Sequence, residues 1–178
     1  MIARIAKTLR RFRKSEDGSA VVPFALWMPM MVGIALSTIE VGAMTLRHTQ
    51  LERALDLTVR EVKLGTGHTY THAQLKQMIC DRTTILGDCS TMLHLEMIGL
   101  DMRDWTDPPS SIECTDVALD VTPQRTFEFG QEHETMLLRA CYKYKPITPV
   151  SRIGSPVKLD ENGFTGVVST STFVHEPM

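Results

Sequence analysis

The chain has 178 residues, 43% of them hydrophobic and 22% charged, with a formal net charge of −2. The near-neutral total hides an asymmetry: six bases stand against Glu16 and Asp17 in residues 1–17, whereas 13 bases face 18 acids from Arg47 onward. That acidic outer part excludes a nucleic-acid-binding domain, which needs a basic surface to neutralise phosphates.

The leader carries Arg4, Lys7, Arg10, Arg11, Arg13 and Lys14. Gly18 to Ile39 then runs for 22 residues without a charge. A helix rises about 1.5 Å per residue, so some 20 apolar residues cross a hydrocarbon core of about 30 Å. A cleaved secretory h-region is shorter, about 7–15 residues, so the stretch reads as a retained anchor. Basic flanks stay cytoplasmic, which places everything after the span on the far side of the membrane.

Pro23 falls in the first turns of the span, where a missing N–H matters least. Pro29 is interior and is expected to loosen or kink the helix, a break tolerated where a packed partner or water satisfies the freed carbonyl. Glu40 ends the uncharged run, about 30 Å along the helix from Ala20. Its carboxylate is expected to reach lipid headgroups; the alternative is contact with a partner's membrane helix.

The helical pattern continues through Leu46, Leu51, Leu55, Val59 and Val62 at mostly three- and four-residue steps. Gly65 and Gly67 mark its end. One nearly continuous helix is therefore predicted from about Ser19 to Leu64, half in lipid and half projecting with one apolar stripe to cover. Thr71 and Gln74 have capping-box spacing at the start of a short helix, THAQLKQMIC.

Cys80, Cys89, Cys114 and Cys141 all lie beyond the span, an even number on the predicted oxidising side. Two disulfides are favoured over a four-cysteine zinc site, because no pair has the short C-x2-C or C-x4-C spacing. Three pairings are possible, and sequence order favours Cys80–Cys89 with Cys114–Cys141. Four segments read as strands: MLHLEMIGL, ECTDVALDV, TMLLRACYKYKPI and GVVSTSTFVHE. Proline-bearing loops separate them. The predicted class is α+β, a long N-terminal helix packed on a small antiparallel sheet. The predicted division is a leader at 1–18, a transmembrane segment at 19–46, a projecting helix at 47–67 and a disulfide-bonded domain at 68–178.

Signs of catalysis are few. His68 and His72 have the spacing of a helical zinc pair but no H-E-x-x-H acid between them. Asp101, Asp104 and Asp107 lack the glycine and glutamate of a calcium loop. The serines have no G-x-S-x-G setting, and no phosphate loop occurs. The chain reads as a non-enzyme without catalytic residues, metal or cofactor.

Asp17 to Gly67 resembles the TadE-like family of the tight-adherence (Tad) pilus machinery. That family has a charged leader ending in glycine, then a pattern near G-x-x-x-V-E-F-A-x-x-x-P, a late acidic residue and an amphipathic helix. Gly18, Val22, Phe24, Ala25, Pro29 and Glu40 occupy matching positions. The resemblance implies a pilin-like layout, an inner-membrane anchor and a periplasmic domain. It implies pseudopilin-like partners that pack through the membrane helix around Pro29 and Glu40. It also implies cleavage by a prepilin peptidase between Gly18 and Ser19. Pilin-like members place glutamate five residues after the cut, whereas Pro23 stands here. That departure points to a minor or accessory role in pilus assembly and adhesion rather than a major subunit. The alternative is a bitopic envelope protein whose outer domain binds a partner unrelated to pili.

Overall fold

A computed structural model describes residues 13, 20–64, 69–108, 114, 127, 129–131, 133–147 and 159–176. The order is helix α1 (Val21–Lys63), α2 (His72–Asp81), a short α3 (Cys89–Met92), then strands β1 (Leu93–Leu100), β2 (Thr135–Tyr144) and β3 (Thr165–Val174). The predicted long helix is there, 43 residues without interruption, and passes through Pro29. At about 1.5 Å per residue it is about 65 Å long. The glycines expected to stop it, Gly65 and Gly67, lie outside the described residues, as do Gly18, Ser19 and His68.

The strands form one antiparallel sheet in the order β1-β2-β3. Leu93 pairs with Tyr142 and Leu100 with Thr135, while Thr135 pairs in turn with Val174 and Tyr144 with Thr165. The architecture is α+β, as the patterning implies. ECTDVALDV, a further strand expected from alternation, lies outside the described residues apart from Cys114. The final strand runs from Thr165 to Val174, against an expected Gly166 to Glu176, and two other strand ends shift for local reasons. β2 ends at Tyr144, two residues before Pro146, which has no N–H to add to a ladder. β1 begins one residue late because Met92 closes α3, a four-residue helix.

The core forms where the apolar stripe of α1 meets the inward faces of the strands. Leu51, Ala54, Leu55, Thr58, Val59 and Val62 are buried on the helix. Leu93, Leu95 and Met97 of β1 meet Met136, Leu138, Ala140 and Tyr142 of β2 and Val167 and Phe173 of β3. Leu46, expected in the stripe, is instead 56% exposed. It stands five residues before Leu51, a step that leaves the three-and-four rhythm of one helix face. α2 closes one side with Leu75 and Ile79, both fully buried. Its capping box forms as predicted: the Thr71 hydroxyl accepts the Gln74 N–H and the Gln74 side chain accepts the Thr71 N–H.

Helix α1 also runs along β3. His48 Nε2 lies 3.1 Å from the Val168 carbonyl oxygen, and Glu176 N–H donates to the Lys63 carbonyl. Edge strands expose unpaired backbone groups that invite another chain, and here the helix takes groups near both ends of β3. β2 is buried on both faces. Its second face carries Arg139, held by Glu96 across the β1 pairing at 2.9 Å, and Lys143, held by Asp160 at 3.1 Å. Buried charges of this kind persist when paired and hydrogen-bonded.

Cys80–Cys89 and Cys114–Cys141 are disulfide-bonded, with Cα separations of 5.7 and 5.8 Å, within the range a disulfide spans. The first ties the end of α2 to the start of α3. The second anchors Cys114 on the second face of β2. Gly166 permits that crossing: a Cβ there would lie 3.0 Å from Cys114 Sγ and 3.3 Å from Cys141 Sγ.

At the far end of β3, His175 is buried between aromatic rings, 4.9 Å from Phe129 and 5.3 Å from Phe173 by ring centroids. Burial holds its pKa below the ordinary 6.5, and the neighbouring Glu134 carboxylate offsets part of that. A histidine whose folded pKa is depressed stabilises the fold in its neutral form. Its contribution is complete above about pH 6.5 and is lost as pH falls through the folded value. Urea unfolding at pH 7 and pH 5 is therefore expected to show a lower midpoint at pH 5. His175→Phe should reduce that difference; an unchanged difference would remove His175 as its source.

Candidate functional site: an apolar helix and its seat on the sheet

The first half of α1 is unlike the rest of the molecule. From Val21 to Ile39 it has no charged side chain. Phe24, Leu26, Trp27, Met30 and Met31 are 56–74% exposed. The helix is long and apolar enough to cross a membrane, and among the described residues none of its most apolar 18-residue window is buried. Contiguous apolar surface of this extent marks contact with lipid or another protein.

The polar side chains in this half satisfy themselves locally. Ser37 and Thr38 hydroxyls each donate at 2.9 Å to the carbonyls of Gly33 and Ile34, one turn earlier, and Thr45 does the same to Val41. Such back-bonding leaves no hydroxyl proton without an acceptor in an apolar medium. Gly33, Ser37, Thr38 and Gly42 line a shallow groove on one side of the helix. Among the described residues no atom lies within 4 Å of a Cβ built on Gly33 or Gly42, so no described neighbour requires either glycine.

Glu40 marks the change between the two halves. It is only 5% exposed. Its carboxylate turns onto the loop that leaves β2, where the Ile147 N–H donates to both oxygens at 3.0 and 3.3 Å. The expected outward reach to headgroups is therefore replaced by a contact inside the chain. The physical reason is the loop itself: Pro146 cannot donate, and β2 has ended, so the Ile147 N–H needs an acceptor that the sheet does not supply.

Two turns further along, Arg47 lies over the Tyr144 ring, 4.3 Å from its centroid. Tyr144 stacks in turn on Tyr142 at 6.2 Å and 12°. Burial raises the Tyr144 pKa; Arg47 opposes that and Glu40 adds to it. Glu40 and Arg47 thus hold the end of β2 and the loop after it against one stretch of α1.

The other residues singled out from the sequence are dispersed. His72 stands at the start of α2, edge-on to Phe127 at 5.2 Å, and partial desolvation on that side, then Lys76, lowers its pKa. The side chain of Asp101 accepts the N–H groups of Arg103 and Asp104 at 2.8 and 3.3 Å, which closes a turn. Among the described residues no three His, Cys, Asp or Glu side chains gather as metal ligands. Ile147 and Tyr144 escape sequence reasoning, because nothing local links them to Glu40 or Arg47.

A scan against protein-family models matches none, and searches of characterised proteins and of solved structures find no similar protein.

Proposed function

We propose that this chain is a single-pass bacterial inner-membrane protein of TadE-like character: a minor pseudopilin-like or accessory component in assembly of a tight-adherence pilus. Through that pilus it contributes to surface attachment. The carrying observation is the single unbroken helix, uncovered and apolar in its first half and built into the core of a small disulfide-bonded sheet in its second. The basic leader favours a cytoplasmic N-terminus, and the two disulfides suit an oxidising compartment such as the periplasm.

Partners in this reading are other pilus or pseudopilin subunits. Gly33, Ser37, Thr38 and Gly42 offer the small-residue surface on which helices approach closely in lipid. Prepilin peptidase would cut between Gly18 and Ser19, removing the basic leader and keeping the anchor. Pro23 stands where pilin-like relatives place their acid, and Glu40 is engaged within its own chain. Neither offers a carboxylate to a neighbour's N-terminus, which favours few copies per pilus.

Deleting the gene is expected to abolish or sharply reduce piliation and surface attachment, with recovery on complementation. Protein from membranes should begin at Ser19, and a phosphatase fused after Met178 should be active. Unchanged piliation and attachment in the deletion strain would overturn the pilus assignment. An inactive but well-expressed fusion would reverse the orientation.

A further inference from the structure

The seat around Glu40 places part of the sheet domain at a particular depth. Counting from Ala20 at about 1.5 Å per residue, Glu40 stands about 30 Å along α1, the thickness of a hydrocarbon core. The Ile147 N–H is bound to its carboxylate, so the loop after β2 is held at that same level. The Ile147 side chain is 59% exposed. Ile39 and Val41, which flank Glu40, are 56% and 55% exposed. Three exposed apolar residues therefore neighbour a buried carboxylate, two in sequence and one through its backbone N–H.

The chemistry of the loop fits this depth. A backbone N–H near hydrocarbon is costly unless it is satisfied, and Glu40 satisfies it. Pro146 has no N–H to satisfy. Lys145, exposed on the other side of Pro146, holds its ammonium 4.8 Å from the Phe164 ring centroid. A long cationic side chain beside an aromatic ring, with an apolar residue two positions on, is the composition of a membrane interface. The polarity of the sheet agrees: β2 runs toward Glu40, whereas the other end of the domain, at Glu176, meets Lys63.

We propose that Lys145–Ile147 is a lipid-contacting foot. The domain touches the phospholipid surface of the bilayer at a second point beside its helix, with Ile147 in the boundary between headgroups and acyl chains and Lys145 at the phosphates. Glu40 positions this foot. The inference rests on α1 spanning the membrane as proposed above, and it adds that the sheet domain sits on the bilayer instead of standing clear of it.

The test uses the full chain reconstituted in phosphatidylcholine–phosphatidylglycerol vesicles. Two single-tryptophan proteins are compared: one keeps Trp27 and carries Trp105→Phe, and the other carries Ile147→Trp with Trp27→Phe and Trp105→Phe. Lipids brominated near the headgroup end of the acyl chain should quench the indole at position 147, which should emit to the blue and resist aqueous acrylamide. Red emission quenched by acrylamide overturns the foot. Blue emission indifferent to brominated lipid also overturns it, because protein would then cover the site. Brominated lipids with the bromines deeper in the chain should quench Trp27. If they do so while position 147 is untouched, the foot alone fails; if Trp27 is also untouched, the span itself fails. Should the Ile147→Trp protein not fold, unmodified protein with a photoreactive phospholipid gives the answer. Labelling of the peptide carrying Ile147 supports the foot, and labelling confined to α1 overturns it.

Discussion

Replacing Cys114 and Cys141 together by serine is expected to cost the sheet domain about 3.5 kcal/mol. The bridge closes a loop with a sequence separation of 27, and chain-entropy cost grows with the logarithm of that length. Replacing Cys80 and Cys89, separated by 9, should cost less, about 2.6 kcal/mol on the same basis. A domain of this size has a total stability of about 5–15 kcal/mol, so losing the longer bridge removes a large share. Urea unfolding of the detergent-solubilised protein, with and without reductant, measures both. Equal midpoints for the parent protein and the Cys114/Cys141 variant under oxidising conditions would show that this bridge does not carry the stability assigned to it.

Leu55→Ala is expected to cost about 2–5 kcal/mol, the range for deleting a buried leucine side chain beyond Cβ. Leu55 is fully buried in the middle of the helical stripe. Truncation there removes contacts from the helix and leaves a void that neighbours fixed in a sheet fill only in part. Leu57, two residues on, is 45% exposed. Leu57→Ala should stay within about 0.5 kcal/mol, as surface substitutions usually do. Similar losses at both positions would mean that the stripe is not the helix's contact with the sheet.

The helix was legible because its signals are local and repeated. An uncharged run, a three-and-four stripe and a capping box at Thr71 each lie within a few turns of sequence, and each appears in the structure. The short Cys80–Cys89 loop was legible for the same reason, and its bridge left one pairing for the remaining two cysteines. The seat was not legible. Glu40 and Ile147 are 107 residues apart, and no periodicity relates them. Arg139 and Glu96 are separated by 43 residues, so a charged residue inside β2 reads as solvent-facing until the strand pairing brings its partner across. α3 leaves no pattern in the sequence, because four residues are too few to show a helical period, and Asp88 before it adopts a left-handed backbone, φ 49°, that patterning does not reveal.

The continuity of α1 has a mechanical consequence. Its apolar half and its core-forming half are one continuous helix with no loop between them, and Gly42, at the junction beside Glu40, stays within that helix. A pull along the axis at the apolar end is not absorbed by a linker. It arrives as shear on the contacts that Leu51, Leu55, Val59 and Val62 make with the sheet, and on the Glu40–Ile147 and Lys63–Glu176 links near the two ends of that interface. Contacts loaded in shear along a long interface share the load and yield together rather than one at a time. The domain is therefore joined to its apolar helix through packed contacts, with no intervening linker.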